Sequence, residues 1–161
     1  MSLICLDTHI LIWGIKGESN PEQTQMVRSA KKFLYDLQQQ KEVQVMIPAV
    51  VVGELLMPIP IEQHAHFIKL LGKSFQIPPF DVAAARIFAE IWQSKKSIRQ
   101  ELNGEMGREH MKVDCQIVAI AKVNKAECIY SYDHGLTKFS DGYVPIKQLP
   151  TEQGQLDFQF E

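Results

Sequence analysis

Apolar residues in this chain form short continuous runs that alternate with longer stretches of helical spacing. Five runs have the length of buried strands: SLICL, VQVMIP, SFQIP, ECIYSY and YVPI. Apolar positions at helical intervals follow in HILIWGI, residues 21–40, AVVVGELLM, residues 61–71, the stretch after Asp81, and VDCQIVAIAKV. Strands that are apolar throughout and alternate with helices predict an α/β fold, a three-layer α/β/α sandwich around a mainly parallel sheet.

The pattern is less regular in three places. Residues 94–112 are charged and contain Gly104 and Gly107, which predicts a long loop or a frayed helical end. The DHG sequence after ECIYSY predicts a turn, and Asp81 is expected to cap the helix that follows it. Residues 151–161 alternate apolar and polar side chains, which predicts a C-terminal tail that forms an edge strand or lies on the surface of a single domain at residues 1–150.

Composition and charge limit the kinds of partner and the cellular compartment that suit this chain. The 161 residues suit one domain, and 17 basic against 19 acidic residues give a formal charge of −2. Nucleic acid would therefore require a local basic patch. The three cysteines have no C-x-x-C spacing, which is typical of reduced thiols, and the chain shows neither a signal peptide nor a membrane span. We expect a cytoplasmic protein without a membrane partner.

Several common sites are excluded by inspection. The chain contains no G-x-G-x-x-G, G-x-S-x-G or H-E-x-x-H motif, which excludes the usual signatures of dinucleotide-binding proteins, serine hydrolases and zinc proteases. GKS at 72–74 lacks the preceding glycine of a phosphate loop, because residue 67 is Phe. His64 and His66 have no companion cysteines and more often form a partly exposed helix face than a metal site.

Four acidic residues occupy unusual positions. Asp7 and Asp133 each follow a predicted strand, and in open parallel sheets ligands bind beyond the carboxyl ends of the strands. Glu54 lies within the apolar VVVGELL, and Asp114 is expected to begin the VDCQIVAIA helix at the rim of its buried face. Each aspartate could instead cap a helix, which stabilises by about 1 kcal/mol.

A cluster of acids and a set of separate helix caps have different energetic consequences if these acids meet at one edge of the sheet. Two carboxylates about 4 Å apart repel by roughly 4 kcal/mol at an effective dielectric near 20, so a cluster of them requires a cation. Oxygen ligands favour a hard ion such as Mg²⁺, which can activate water and neutralise phosphate oxygens.

The same residues carry a family resemblance. LDTHILIW with Asp7, GELL with Glu54, VDCQIVAIA with Asp114 and YSYD with Asp133 resemble, in order and spacing, the four acidic motifs of PIN domains. The resemblance implies an α/β/α sandwich and a Mg²⁺ or Mn²⁺ site held by Asp7, Glu54, Asp114 and Asp133. It also implies ribonuclease activity like that of the VapC-type toxins of toxin–antitoxin pairs, with an antitoxin partner and a homodimer as further expectations.

Other residues are assigned supporting functions. Thr8 and Ser131 are expected to position the acids or their waters, although either hydroxyl could simply satisfy local backbone. Arg108 and Lys112 could contact RNA phosphates, whereas the interleaved glutamates favour a solvated surface. Two alternative functions stay open: an RNA- or protein-binding module of the same fold without useful turnover, and a small-molecule phosphatase.

Overall fold

A parallel sheet forms the centre of the protein. The computed structural model describes residues 1–150, so the predicted tail at 151–161 lies outside the described residues. Within them, the four strands have the order β2-β1-β3-β4, and every neighbouring pair is parallel. The strands are β1 (Ser2–Leu6), β2 (Val43–Met46), β3 (Cys128–Tyr130) and β4 (Ile146–Lys147).

Helices connect all of these strands. They are α1 (Thr8–Leu11), α2 (Thr24–Gln39), α3 (Ala49–Leu56), α4 (Ile61–Ser74), α5 (Val82–Ser94), α6 (Lys96–Leu102), α7 (Arg108–Val123) and α8 (His134–Ser140). A π-helical turn at Ile12–Lys16 continues α1, and a 3-10 turn at Pro21–Gln23 precedes α2. No helix of residues 1–150 is both long and apolar enough to cross a membrane.

The strand order places helices on both faces of the sheet. The chain moves from β1 to β2 in one direction across the sheet and from β3 to β4 in the opposite direction. Because crossovers between parallel strands are right-handed, α2 covers one face, and α7 and α8 cover the other. The predicted α/β/α sandwich with a parallel sheet is therefore confirmed.

The strands are apolar throughout because both faces of the sheet are covered. Cys5 and Leu6 in β1 and Ile129 in β3 are fully buried, as is Val118 of α7. Cys5, Cys115 and Cys128 are free thiols within this core. Burial raises the pKa of Cys115 to about 12, so this thiol remains neutral at physiological pH.

The predicted loop at residues 94–112 is largely helical. α6 occupies Lys96–Leu102 and α7 begins at Arg108, which leaves only a short connection around Gly104 and Gly107. Charged side chains such as Lys, Arg and Glu are good helix formers, and the buried Leu102 anchors α6 to the core. The loop prediction was wrong because it took polarity as a sign of irregular structure.

The earlier start of α7 also changes the position of Asp114. This residue lies in the second turn of α7 and not at its N-terminus, so it cannot cap the helix. The predicted turn at DHG is likewise wrong, because His134 begins α8. Among residues 1–150, SFQIP contributes a single bridge, between Gln76 and Met46, and does not form a strand.

Candidate metal centre

The carboxyl ends of β1 and β3 form the floor of the candidate site. The two strands are neighbours, and the backbone N–H of Asp7 donates to the carbonyl of Tyr130 at 3.1 Å. The crossover that leaves β1 and the one that leaves β3 run in opposite directions, so the chain diverges at this point of the sheet edge. Such switch points form crevices in which parallel α/β proteins bind ligands.

Asp7 is held in one orientation by two hydrogen bonds. It is 5% exposed; its Oδ1 accepts from the backbone N–H of Thr8 at 2.7 Å and its Oδ2 accepts from the Ser131 hydroxyl at 2.6 Å. Burial raises the pKa of Asp7, while the bonds from Ser131 and Thr8 oppose that rise. The residue is both the N-cap of α1 and a fixed carboxylate at the sheet edge.

Asp133 is oriented in a similar way after β3. Its Oδ1 caps α8 by accepting from the backbone N–H of Leu136 at 2.9 Å. Its own backbone N–H donates to the Ser131 hydroxyl at 3.0 Å, so Ser131 connects Asp133 to Asp7. With Oδ1 engaged in the cap, Oδ2 is left to face the imidazole of His110 at 2.9 Å.

Glu54 reaches the same region from α3. Its Oε1 accepts from the Thr8 hydroxyl at 3.0 Å, and this bond supplies the polar partner that an acid in an apolar segment requires. Partial burial raises the pKa of Glu54, the Thr8 bond lowers it, and the nearby Asp7 raises it again. Thr8 and Ser131, the two hydroxyl residues singled out in the sequence, thus each donate to an acid of the cluster.

Asp114 is the least exposed of the four acids. It is 3% exposed, and its Oδ2 has no hydrogen-bond partner among the described residues. Burial, followed by the charges of Asp133 and Asp7, raises the pKa of Asp114 to about 10. A carboxylate oxygen with this surrounding is costly to ionise unless a cation neutralises it.

A close approach of the backbone shapes the wall beside Asp114. A Cβ atom at Gly135 would lie 3.0 Å from Asp114 Oδ2 and 2.4 Å from Met106 Cε. The Met106 methyl group is the flexible end of a side chain and could move, whereas 3.0 Å from a carboxylate oxygen is closer than ordinary van der Waals contact. Glycine therefore lets the start of α8 pack against this carboxylate without crowding it.

Sequence reasoning missed His110. This residue lies four positions before Asp114 on α7, and its Nε2 lies 2.9 Å from Asp133 Oδ2 and 3.6 Å from Asp114 Oδ1. His110, Asp114 and Asp133 each offer a ligand atom within 4.8 Å of the other two. The i to i+4 spacing would have revealed the pair only if α7 had been predicted to begin at Arg108.

The structure therefore brings all four predicted acids to one sheet edge, where their charges influence one another. The donor set suits a divalent ion, because its carboxylates are fixed, mutually repulsive and include one unpartnered oxygen. Arg108 and Lys112 lie on the same helix as Asp114: the Arg108 guanidinium lies 5.5 Å from the centroid of the Trp92 ring, and Lys112 pairs with Glu109 at 3.3 Å.

A parallel α/β/α sandwich with an acidic cluster at its switch point defines the class of this protein, and comparisons with known proteins identify the family. The family model for the PIN domain matches residues 4–142. The chain belongs to the PIN domain family. A comparison with curated protein sequences returned no match.

Two solved structures share the fold. One is VapBC2 from Rickettsia felis bound to a DNA fragment from its promoter, with 16% identity, a TM-score of 0.58, and coverage of 92% of this chain and 99% of the other. The second is VapBC-5 from Mycobacterium tuberculosis, a member of the VapBC family of toxin–antitoxin systems. It shows 15% identity, a TM-score of 0.51, and coverage of 94% and 100%. At this level of identity the likeness extends to the fold.

Proposed function

We propose that this chain is a Mg²⁺- or Mn²⁺-dependent endoribonuclease and the toxin of a toxin–antitoxin pair. The observation that carries the proposal is the buried, unpartnered oxygen of Asp114 within a cluster of three other acids. Membership of the PIN domain family and the likeness to VapBC structures support the same conclusion. The proposed compartment is the cytoplasm, where an RNA substrate is available. The proposed nuclease domain is residues 1–150.

Each acid has a separate part in this proposal. Asp7, Asp114 and Asp133 would bind the metal directly or through water, and Glu54, which its bond to Thr8 orients, would position a second ion or the attacking water. When bound, the metal supplies charge neutralisation for the scissile phosphate and a lower pKa for the attacking water. Ser131 keeps Asp7 and Asp133 at a fixed separation, because its hydroxyl donates to one and accepts from the other.

The proposed RNA surface lies next to this cluster. Arg108 is exposed at the first turn of α7, and Lys112 lies one turn further on. Their positive charges would contact phosphates that flank the bond being cleaved, as basic side chains do in most nucleic-acid complexes. Because the whole chain is slightly acidic, binding would depend on this local surface.

An antitoxin protein is the proposed partner, and self-association is a further proposal. Both similar structures are described as VapBC systems. Large apolar side chains are exposed at the connection between α3 and α4 and along α4, which gives a protein partner apolar surface to cover: Met57, Ile61, Ile68 and Leu70. Co-purification with the product of an adjacent gene tests the first proposal, and light scattering of the isolated chain tests the second.

Cleavage of a structured RNA tests the enzymatic proposal. We expect cleavage with Mg²⁺ or Mn²⁺, none with EDTA, and a loss of about 100-fold or more in Asp7→Asn, Glu54→Gln, Asp114→Asn and Asp133→Asn. Asp81→Asn is the matched control, because Asp81 caps α5 by accepting from Ala84 N at 2.9 Å and lies outside the cluster. Asparagine preserves such a cap, so the control should retain full activity.

Three results would contradict the proposal. Metal-independent cleavage that survives all four substitutions would show that the acidic cluster does not carry the activity. RNA binding without cleavage at any metal concentration would favour the binding module, and release of phosphate from monoesters with no attack on RNA would favour the phosphatase.

A further inference from the structure

We propose that His110 is a nitrogen ligand of the metal held by Asp114 and Asp133, and that this ligand makes the site prefer Mn²⁺ to Mg²⁺. The inference rests on the metal centre of the proposed function and adds to it a donor that the acidic motifs do not contain.

The geometry places the imidazole where a ligand is needed. His110 Nε2 lies 2.9 Å from Asp133 Oδ2 and 3.6 Å from Asp114 Oδ1. Donor atoms that share one ion through bonds of about 2.1 Å lie roughly 3 to 4 Å apart, so these separations suit a common ion. The three side chains are the group of potential metal ligands that the described residues bring within 4.8 Å of one another.

The unpartnered oxygen of Asp114 is a second and independent observation. Asp114 is only 3% exposed, yet its Oδ2 has no hydrogen-bond partner in residues 1–150. Buried carboxylate oxygens normally have partners, and one without a partner requires an explanation such as an ion. Gly135 borders this oxygen, because a Cβ atom built at that position would lie 3.0 Å from it.

Local structure brings the other two donors, His110 and Asp133, next to Asp114. The cap of α8 engages Asp133 Oδ1 and leaves Oδ2 facing the imidazole. Spacing of i to i+4 on α7 places His110 above Asp114 on one helix face. A simple ion pair between His110 and Asp133 is a weaker explanation, because it leaves Asp114 Oδ2 without a partner.

An imidazole changes which ion the site prefers. Mg²⁺ selects oxygen ligands and retains water. Mn²⁺ binds nitrogen donors less strongly than the later transition ions do, but more strongly than Mg²⁺ does. A site of carboxylates alone would discriminate weakly between the two ions. With His110 bound, we expect Mn²⁺ affinity to depend on the imidazole and Mg²⁺ affinity to depend on it much less.

Paramagnetic resonance of bound Mn²⁺ tests this directly and without an activity assay. We expect pulsed spectra of the Mn²⁺-loaded full chain to show ¹⁴N coupling, and His110→Gln to lose it. The same substitution should lower Mn²⁺ affinity about tenfold or more while changing Mg²⁺ affinity less, as measured by competition with Mn²⁺. Circular dichroism establishes that the variant is folded.

His9→Gln is the matched control. His9 lies close enough to Asp7 and Glu54 to influence their charges, but its ring packs against Trp13 at 5.8 Å, and it is not part of the three-residue group. This variant should retain the ¹⁴N coupling and the Mn²⁺ affinity of the unmodified protein.

The possible failures are distinguishable. Mn²⁺ that binds the unmodified protein without ¹⁴N coupling, or coupling that persists in His110→Gln, would overturn the assignment of His110 and leave the carboxylate centre intact. Failure of the unmodified protein to bind either ion would overturn the metal centre and the inference together. Absence of ¹⁴N coupling in the unmodified protein overturns the assignment whether or not the variant folds.

Discussion

Replacing Asp114 by Asn should stabilise the metal-free protein and remove its response to Mn²⁺. The substitution preserves the shape of a side chain that is 3% exposed and removes its ability to ionise. Asn also brings an amide donor close to the carboxylates that crowd this position. A residue that contributed only to the fold would show the opposite sign, because changes at buried polar positions usually destabilise.

The magnitude follows from the raised pKa of Asp114. Burial, then Asp133 and Asp7, raise it from 3.8 to about 10, so at neutral pH the folded chain retains a proton that the unfolded chain releases. The contribution of this group to the free energy of unfolding is therefore fully present below pH 3.8 and decreases as the pH rises toward 10. At pH 7 the linkage relation gives an upper limit of about 4 kcal/mol for this loss. We expect a gain of about 2 kcal/mol in the variant, because the buried amide is itself desolvated.

Thermal melts in EDTA at pH 5, 7 and 9 measure this gain. A gain of about 2 kcal/mol raises the melting temperature of a domain of this size by about 4 to 8 °C, and the difference should widen as pH rises. Mn²⁺ at about 100 times its Kd should stabilise the unmodified protein by about 2.7 kcal/mol and the variant far less. Asp81→Asn, at the cap of α5, should melt with the unmodified protein at each pH.

Two outcomes would refute the reasoning. One is an Asp114→Asn variant that is less stable than the unmodified protein in EDTA. The other is a gain that is equal at pH 5 and pH 9, since that would show that the carboxyl group does not titrate between these values in a folding-dependent way.

Three further predictions concern neighbouring residues. Ser131→Ala removes a hydroxyl that is 1% exposed and makes two hydrogen bonds, and it should cost about 1 to 3 kcal/mol in urea unfolding; no change would show that water replaces it. Gly135→Ala places a methyl group 3.0 Å from Asp114 Oδ2 and should weaken Mn²⁺ binding in a calorimetric titration. Unchanged binding would contradict the close packing of α8 against this oxygen. Replacing Arg108 and Lys112 by Ala should reduce the salt slope of single-stranded RNA binding, measured in EDTA, by about 1.4; an unchanged slope would contradict phosphate contacts.

Patterns confined to one element predicted most of the fold. The apolar run before Asp7 and the apolar run before Asp133 identified two buried parallel strands, and the position of each acid after its strand located the sheet edge. Both aspartates also cap helices, so the two interpretations offered for them from the sequence apply to the same side chains. In each, Oδ1 caps the helix, while Oδ2 of Asp7 accepts from Ser131 and Oδ2 of Asp133 faces His110.

Features that depend on contacts between elements were not predictable in this way. His110 was overlooked because it stands in a charged segment, and its relation to Asp133 depends on how α7 packs beside α8. The predicted start of α7 was wrong because Gly107 suggested a loop, whereas it is the residue that precedes the helix. The buried Met111 in the first turn of α7 and Leu102 in α6 anchor this segment to the core.

The hydrogen bond between Ser131 and Asp7 has a consequence for the order of events in folding. The two residues are 124 positions apart, so the contact forms only after β3 has joined β1. Pairing of β1 with β2 alone, which closes a much shorter loop, leaves Asp7 without this hydroxyl and without Asp133. A partly folded chain therefore lacks the proposed metal site, and Mn²⁺ binding that appears during refolding should report the pairing of β3 with β1 and no earlier stage.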